Sequence, residues 1–297
     1  MEAMCAAATL DAWLNRAAGR IATALGLTRA EARLEARVLA AHALGVNRAW
    51  LAAHGDDTLA PAQAAAMERC IARRLRGEPV AYITGRREFY GLEFIVTPDV
   101  LIPRPETELL VDLALERLPA ERPCRVLDLG TGSGVLALTL AHLRPKAEIT
   151  AVDRCPAALA TARRNAQALG LERVRFVQAD WYPQGGVHNF DMIVSNPPYV
   201  AEADPHLDRG DLRFEPRGAL AAGPDGLDAI RVIVTGTPAH LRPGGWLLLE
   251  HGCDQAPACR ALLAGAGLLS ILTLDDLAGL PRVTGGRLPS PGDGGEQ

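Results

Sequence analysis

The segment Asp128-Leu129-Gly130-Thr131-Gly132-Ser133-Gly134 constrains the fold more than any other stretch of this chain. It joins a short apolar run, residues 125–129, to a segment with helical periodicity through Leu136 and Leu140. An apolar strand, a tight turn and a helix make the opening of a parallel β-α unit. Glycines at alternate positions let the backbone turn sharply and approach a ligand that a Cβ would exclude. The alternation then continues. Strands are expected at 149–152, 174–177, 191–195 and 246–250, with helices over 156–169 and from 227 to about 241, and two final strands at 268–274 and 282–284. The expectation is a seven-stranded, mostly parallel sheet in an α/β domain over residues 106–288.

The flanks differ in texture. Residues 1–78 are rich in alanine and leucine, with helical periodicity and no strand-like alternation. Thr28-Arg29-Ala30-Glu31 is a capping-box pattern whose helix stops at Gly45, and Pro61 opens another helix through Met67, Ile71 and Leu75. The prediction is a small N-terminal helical bundle, with Arg69, Arg73, Arg74 and Arg76 on a solvated face. Residues 79–105 read as a β-hairpin linker, because Phe89 to Val96 forms two short strands around Gly91 and Leu101-Ile102-Pro103-Arg104-Pro105 resists a helix. Residues 289–297 are Pro/Gly-rich and expected to be a disordered tail.

Composition removes several function classes. A hydrophobic content of 48% with 22% charge is that of a soluble globular protein. The net charge of -4 argues against a dedicated nucleic-acid binder, and no direct nucleic-acid contact is expected. No stretch approaches the ~18 apolar residues of a membrane span, and the N-terminus lacks the basic start of a signal peptide. The six cysteines are scattered without a C-x-x-C pair, which fits a reducing, cytoplasmic location and offers no metal site.

Two constellations carry chemistry. The first surrounds the glycine loop. It lacks G-K-[ST], which excludes a Walker phosphate loop, but Gly132 to Ala137 matches the dinucleotide pattern G-x-G-x-x-A. In either reading Asp153, ending the second strand, suits a ribose. Asp128 before the loop suits the cationic methionine moiety of S-adenosyl-L-methionine. Asp180-Trp181 after the third strand supplies an acceptor and a flat face for adenine. The second constellation is Asn196-Pro197-Pro198-Tyr199, directly after the fourth strand. Asn supplies an amide oxygen, the prolines hold a stretched backbone with free carbonyls, and Tyr adds a flat wall. Such a set suits a planar NH2 group, whose delocalised lone pair makes it a poor nucleophile that must be positioned.

In this order these motifs resemble class I, Rossmann-like S-adenosylmethionine-dependent methyltransferases acting on amide or amino nitrogen. More narrowly, Arg87-Glu88-Phe89-Tyr90-Gly91, Leu101 to Glu108, Arg213-Phe214-Glu215-Pro216, Leu249-Glu250-His251-Gly252 and Arg282-Val283-Thr284 resemble the PrmC/HemK family of peptide chain release factor glutamine methyltransferases. Glu93, where proline is common, and the C-terminal tail are the departures. The resemblance implies methyl transfer to the side-chain nitrogen (N5) of the glutamine in the Gly-Gly-Gln motif of class 1 release factors, with S-adenosyl-L-homocysteine as product. It implies that Gly130, Thr131, Gly132, Ser133, Gly134 and Asp153 hold the methionine and ribose while Asp180 and Trp181 frame the adenine. Asn196 and the Pro197 carbonyl would accept from the substrate NH2, with Pro198 and Tyr199 walling it. Arg104 and Glu106 are further polar candidates from the linker. The alternatives are a ribosomal-protein glutamine N5-methyltransferase, a DNA adenine N6-methyltransferase, an inert fold used for binding, and a nicotinamide oxidoreductase.

Overall fold

The computed structural model describes residues 9–183 and 189–293. The chain divides into two compact units, 9–85 with 208–214, and 86–207 with 215–293.

The first unit is helical: α1 (Leu10–Leu25), α2 (Arg29–Leu44), α3 (Arg48–Ala53), α4 (Pro61–Leu75) and α5 (Val80–Thr84). The Thr28 hydroxyl accepts the Glu31 amide at 3.3 Å and the Glu31 carboxylate takes the Thr28 amide at 2.8 Å, so the expected capping box is closed. Such caps contribute about 1 kcal/mol each. Trp13, Leu14, Ile21, Leu39, Met67 and Ile71 form the core of the unit. One expectation is corrected here. Arg74 is not on a solvated face; its side chain is 5% exposed and lies between Glu35 and Asp211, each at 2.8 Å. It shares the buried face of α4 with Met67 and Ile71, and burial of that guanidinium is tolerated because two carboxylates and the Gly77 and Glu78 carbonyls face it. Arg73 pairs with Glu78, whereas Arg69 and Arg76 are exposed.

The second unit begins with the hairpin β1 (Arg86–Phe89) and β2 (Leu92–Ile95), turned by Tyr90 and Gly91, both at positive φ. Then follow a 3₁₀ turn at Pro105–Thr107, α6 (Glu108–Arg117), β3 (Cys124–Leu129), α7 (Val135–Leu143), β4 (Ala147–Asp153), α8 (Pro156–Leu169), β5 (Arg175–Gln178) and β6 (Phe190–Ser195). The chain ends with α9 (Asp228–His240), β7 (Leu241–Glu250), α10 (Ala256–Gly265), β8 (Leu269–Asp275) and β9 (Pro281–Arg287). The strands form a seven-stranded sheet in the order β5-β4-β3-β6-β7-β9-β8. The first five of these pair in parallel, and β9 is antiparallel to both neighbours.

Apolar layers cover both faces, as a mostly parallel sheet requires. Leu110, Leu113, Leu138 and Leu140 fill one side; Ile230, Ile233, Leu263 and Leu268 fill the other. The hairpin is more than a connector. Phe89 and Phe94, edge to face at 6.2 Å, are buried in the first of these layers, where each contributes roughly 2 kcal/mol. Asn165 fixes it there, taking the Ile95 amide at 2.7 Å and donating to the carbonyls of Ile95 and Ser133. At the other end, the expected disordered segment 289–297 is a hydrogen-bonded turn as far as Asp293, which pairs with Arg287; residues 294–297 lie outside the described residues.

The direction of winding reverses at β3, whose neighbours β4 and β6 carry the chain to opposite edges. A crevice opens at the carboxyl ends of the strands beside such a reversal.

Candidate active site

The glycine loop leaves β3 at this crevice. Gly130, Gly132 and Gly134 all have positive φ. Gly134 caps α7, and a Cβ there would come within 2.9 Å of Leu138 Cδ1 on α7 and 3.3 Å of Ala162 Cβ on α8, so its role is to let the two helices approach. Gly132 differs. A Cβ there would meet no protein atom within 4 Å, and the residue lines a cavity of about 510 Å³.

Asp128 is fully buried behind the loop and does not line the cavity. Its Oδ2 accepts the Thr131 hydroxyl at 2.6 Å and the Ala137 amide at 3.2 Å, while Oδ1 has no hydrogen-bond partner. Burial pushes its pKa up to about 7, against the pull of Thr131 and Ala137. Asp128 therefore braces the loop. It also takes an amide at the start of α7, where a dinucleotide's pyrophosphate would otherwise seek one.

Asp153, ending β4, faces the cavity and holds two amides, Gly132 on Oδ2 and Cys155 on Oδ1, each at 2.9 Å. Asp180 and Trp181 follow β5 in the same wall, Trp181 at a φ of 62° with its ring 3.5 Å from where a Gly130 Cβ would stand. The charged lining is Asp99, Asp153, Asp180 and Asp228 against Arg154. Excess carboxylate favours a cationic ligand and repels a pyrophosphate.

At the end of β6, Ser195 donates to the Leu129 carbonyl at 2.6 Å and ties the strand to the glycine loop. Asn196 and Pro198 line the cavity; Pro197 is buried, and Tyr199 is half-buried outside the lining. Asn196 Nδ2 donates to Thr107 Oγ1 at 3.0 Å, which leaves Oδ1 to accept. The Tyr199 hydroxyl donates to Glu250 Oε1 at 3.1 Å, and burial holds its pKa above the ordinary phenol range. Gln255 Nε2 donates to the Tyr199 carbonyl at 2.9 Å, and Gly226 leaves room for that carbonyl.

The structure thus gathers Gly130 to Ser133, Asp153, Asp180, Trp181, Asn196 and Pro198 around one cavity. Asp128 and Gly134 stand behind it as supports, and Pro197 and Tyr199 lie next to Asn196 outside its lining. The residues that sequence reasoning misses are Asn165 and Gln255; Thr107 and Glu215 enter it only inside motifs, with no role of their own. The same holds for Glu250 in Leu249-Glu250-His251-Gly252. Arg104 pairs with the buried Glu215, whereas Glu106 is exposed. Among the described residues no group of His, Cys, Asp and Glu is placed to hold a metal. None of their helices is long and apolar enough to cross a membrane.

Comparison with known proteins fits this geometry. Residues 12–85 match the model of the PrmC N-terminal domain, and residues 107–210 that of the methyltransferase small domain. A release factor glutamine methyltransferase of Xylella fastidiosa is 53% identical over 86% of this chain and 94% of its own length. The chain belongs to the release factor glutamine methyltransferase family. The family's Bordetella pertussis member is 55% identical, over 86% of this chain and 95% of its own. Among solved structures, a T. thermophilus 16S rRNA N2 G1207 methyltransferase in complex with AdoMet and guanosine superimposes with a TM-score of 0.51 and 25% identity, over 68% of this chain and 49% of that one.

Proposed function

We propose that this chain transfers the methyl group of S-adenosyl-L-methionine to the side-chain amide nitrogen of the glutamine in the Gly-Gly-Gln motif of class 1 peptide chain release factors. The observation that carries the reading is the orientation of Asn196, whose Nδ2 is committed to Thr107 so that Oδ1 remains as an acceptor in the cavity wall. A substrate NH2 has only donors to offer, and an acceptor is what it needs.

The cavity residues fit the cofactor. The Gly132 position admits a ligand where a Cβ would stand, the carboxylates match a sulfonium and an ammonium, and Trp181 offers a flat face. On this reading the loop and Asp153 hold the methionine and ribose, and Asp180 with Trp181 frames the adenine. Bound there, the cofactor would supply an electrophilic methyl; as the N–C bond forms the S–C bond breaks to give the neutral thioether, and one amide proton passes to solvent. The chain's own residues do the rest by positioning. Asn196 Oδ1 and the Pro197 carbonyl accept the two N–H groups, and Pro198 and Tyr199 restrict the amide plane. The helical unit at 9–85 supplies recognition of the release factor beyond the glutamine itself, because so short a motif gives little specificity.

The test is transfer of labelled methyl from S-adenosylmethionine to purified release factor, with a factor whose glutamine is replaced by alanine, a ribosomal protein and duplex DNA alongside. Label on the intact release factor alone is expected. Removing Asn196 should cost on the order of 10²–10³ in rate. An Asn196→Ala enzyme with full activity sinks the assignment.

A further inference from the structure

One carboxyl group stands behind both residues that this reading sets against the substrate. Glu250 ends β7 and is 1% exposed. Its Oε1 accepts the Tyr199 hydroxyl at 3.1 Å, and its Oε2 is buried without a hydrogen-bond partner. Thr107, also 1% exposed, closes the 3₁₀ turn before α6 and accepts Asn196 Nδ2 at 3.0 Å.

A hydroxyl that accepts from Asn196 still has its own proton to place. The Thr107 hydroxyl favours the charged form of the Glu250 carboxyl, although it closes no bond of ordinary geometry to Oε2. The orphaned oxygen and the uncommitted proton are complementary. Direction matters here because the two ends of an asparagine amide have nearly the same shape, and their partners decide which way it points. Were the Thr107 proton turned toward Asn196, the amide would flip and present NH2 to a substrate NH2. An ionised carboxylate beside Thr107 has only acceptors to offer and would prevent this.

We propose that Thr107 and Glu250 are positioning residues for the methyl transfer: Glu250 draws the Thr107 proton inward, Thr107 takes Asn196 Nδ2, and Asn196 Oδ1 is thereby held as the acceptor for the substrate amide. The same carboxyl anchors the Tyr199 hydroxyl, so one group aligns both walls of the substrate site. This rests on the reading of Asn196 as the amide acceptor. The polarity of the relay requires ionised Glu250. Burial pushes its pKa up to about 7; Thr107, Tyr199 and Arg282 favour the charge, and Glu106 opposes it.

The experiment compares T107V, T107S, E250Q and N196A in full-length enzyme with release factor as substrate. It reads kcat across pH and S-adenosylmethionine affinity by calorimetry. T107V keeps the shape and loses the hydroxyl, and should lower kcat about tenfold, the value of one lost hydrogen bond, with cofactor affinity unchanged. T107S should restore most of that loss. E250Q should lower kcat similarly and abolish the rise of kcat through about pH 7 expected of the native enzyme, since glutamine does not titrate. If E250Q does not fold, the T107V and T107S pair decides. Native kcat in T107V, equal losses in T107S and T107V, or parallel losses of kcat and cofactor affinity overturn the relay. Native activity in N196A overturns instead the reading on which it stands.

Discussion

Glu215 grips Arg104 with one carboxylate oxygen while its other oxygen accepts the Ile102 amide at 2.9 Å. The Glu215 side chain is wholly buried and that of Arg104 is 31% exposed. The segment that returns from the Asn196 loop is thereby fastened to the Pro-rich segment that precedes α6. Leu101 and Pro103 from that segment, and Pro216 next to Glu215, line the cavity. The pair shapes a wall and leaves chemistry to others.

Removing Glu215 should therefore act on stability first. Glu215→Ala strands a partly buried guanidinium and an amide, and breaking such a pair costs about 3 kcal/mol. Urea unfolding should show this loss, with cofactor affinity reduced as the wall loosens. A variant of native stability shows that the pair is solvated.

Gly226 is a sharper case. Its φ is +75°, and a Cβ would stand 2.2 Å from the Tyr199 carbonyl oxygen and 2.8 Å from Gln255 Nε2. Neither the carbonyl nor the pinned amide retreats cheaply. Gly226→Ala should push the Tyr199 backbone out of register, lowering kcat by at least about tenfold and stability by roughly 2 kcal/mol. Gly19, whose Cβ would meet nothing within 4 Å, is the control: Gly19→Ala in α1 should be neutral or stabilising.

The alternation of strands and helices, the capping box at Thr28 and the order of motifs were legible because each rests on local sequence: periodicity, turn residues and caps. The helix Pro156–Leu169 falls where its pattern placed it. What local sequence could not carry is the pairing of distant groups. Asp128 reads like a ligand because it precedes the glycine loop, yet it faces Thr131 and Ala137. Arg74 reads as surface because arginines usually are, yet Asp211 lies 137 residues away in sequence. Asn165 and Gln255 belong to no motif, and Thr107 belongs to one that assigns it no role. Their importance comes from being polar at positions where the fold excludes water.

Asp153 and Trp181 divide the cofactor's recognition. Asp153→Ala loses an acceptor and releases two amides of the loop, so both affinity and loop order should suffer. Trp181→Ala removes a face only. Calorimetry should give a loss of about 1–3 kcal/mol in S-adenosylmethionine binding for Trp181→Ala, with little change in unfolding temperature. Asp153→Ala should weaken binding further and lower the unfolding temperature. Equal affinity in native and Trp181→Ala proteins removes Trp181 from the cofactor site.

Asp128 and Glu250 make stability depend on pH with an unusual sign. Burial is the first cause in both, and it pushes each pKa up to about 7 from an ordinary value near 4. Between those values the folded chain holds protons that the unfolded chain has released. Their stabilisation is thus fully present below the unfolded carboxyl range and is lost as pH rises through about 7. The effect is on the order of 3 kcal/mol per group. Urea unfolding of the native protein should give lower stability at pH 8 than at pH 5.5. Asp128→Asn and Glu250→Gln should each flatten that slope, and parallel slopes in all three proteins refute it. For Glu250 the consequence reaches function. The ionised form that orients Thr107 and Asn196 is the form that weakens the fold, so this carboxyl sits where stability and positioning oppose each other.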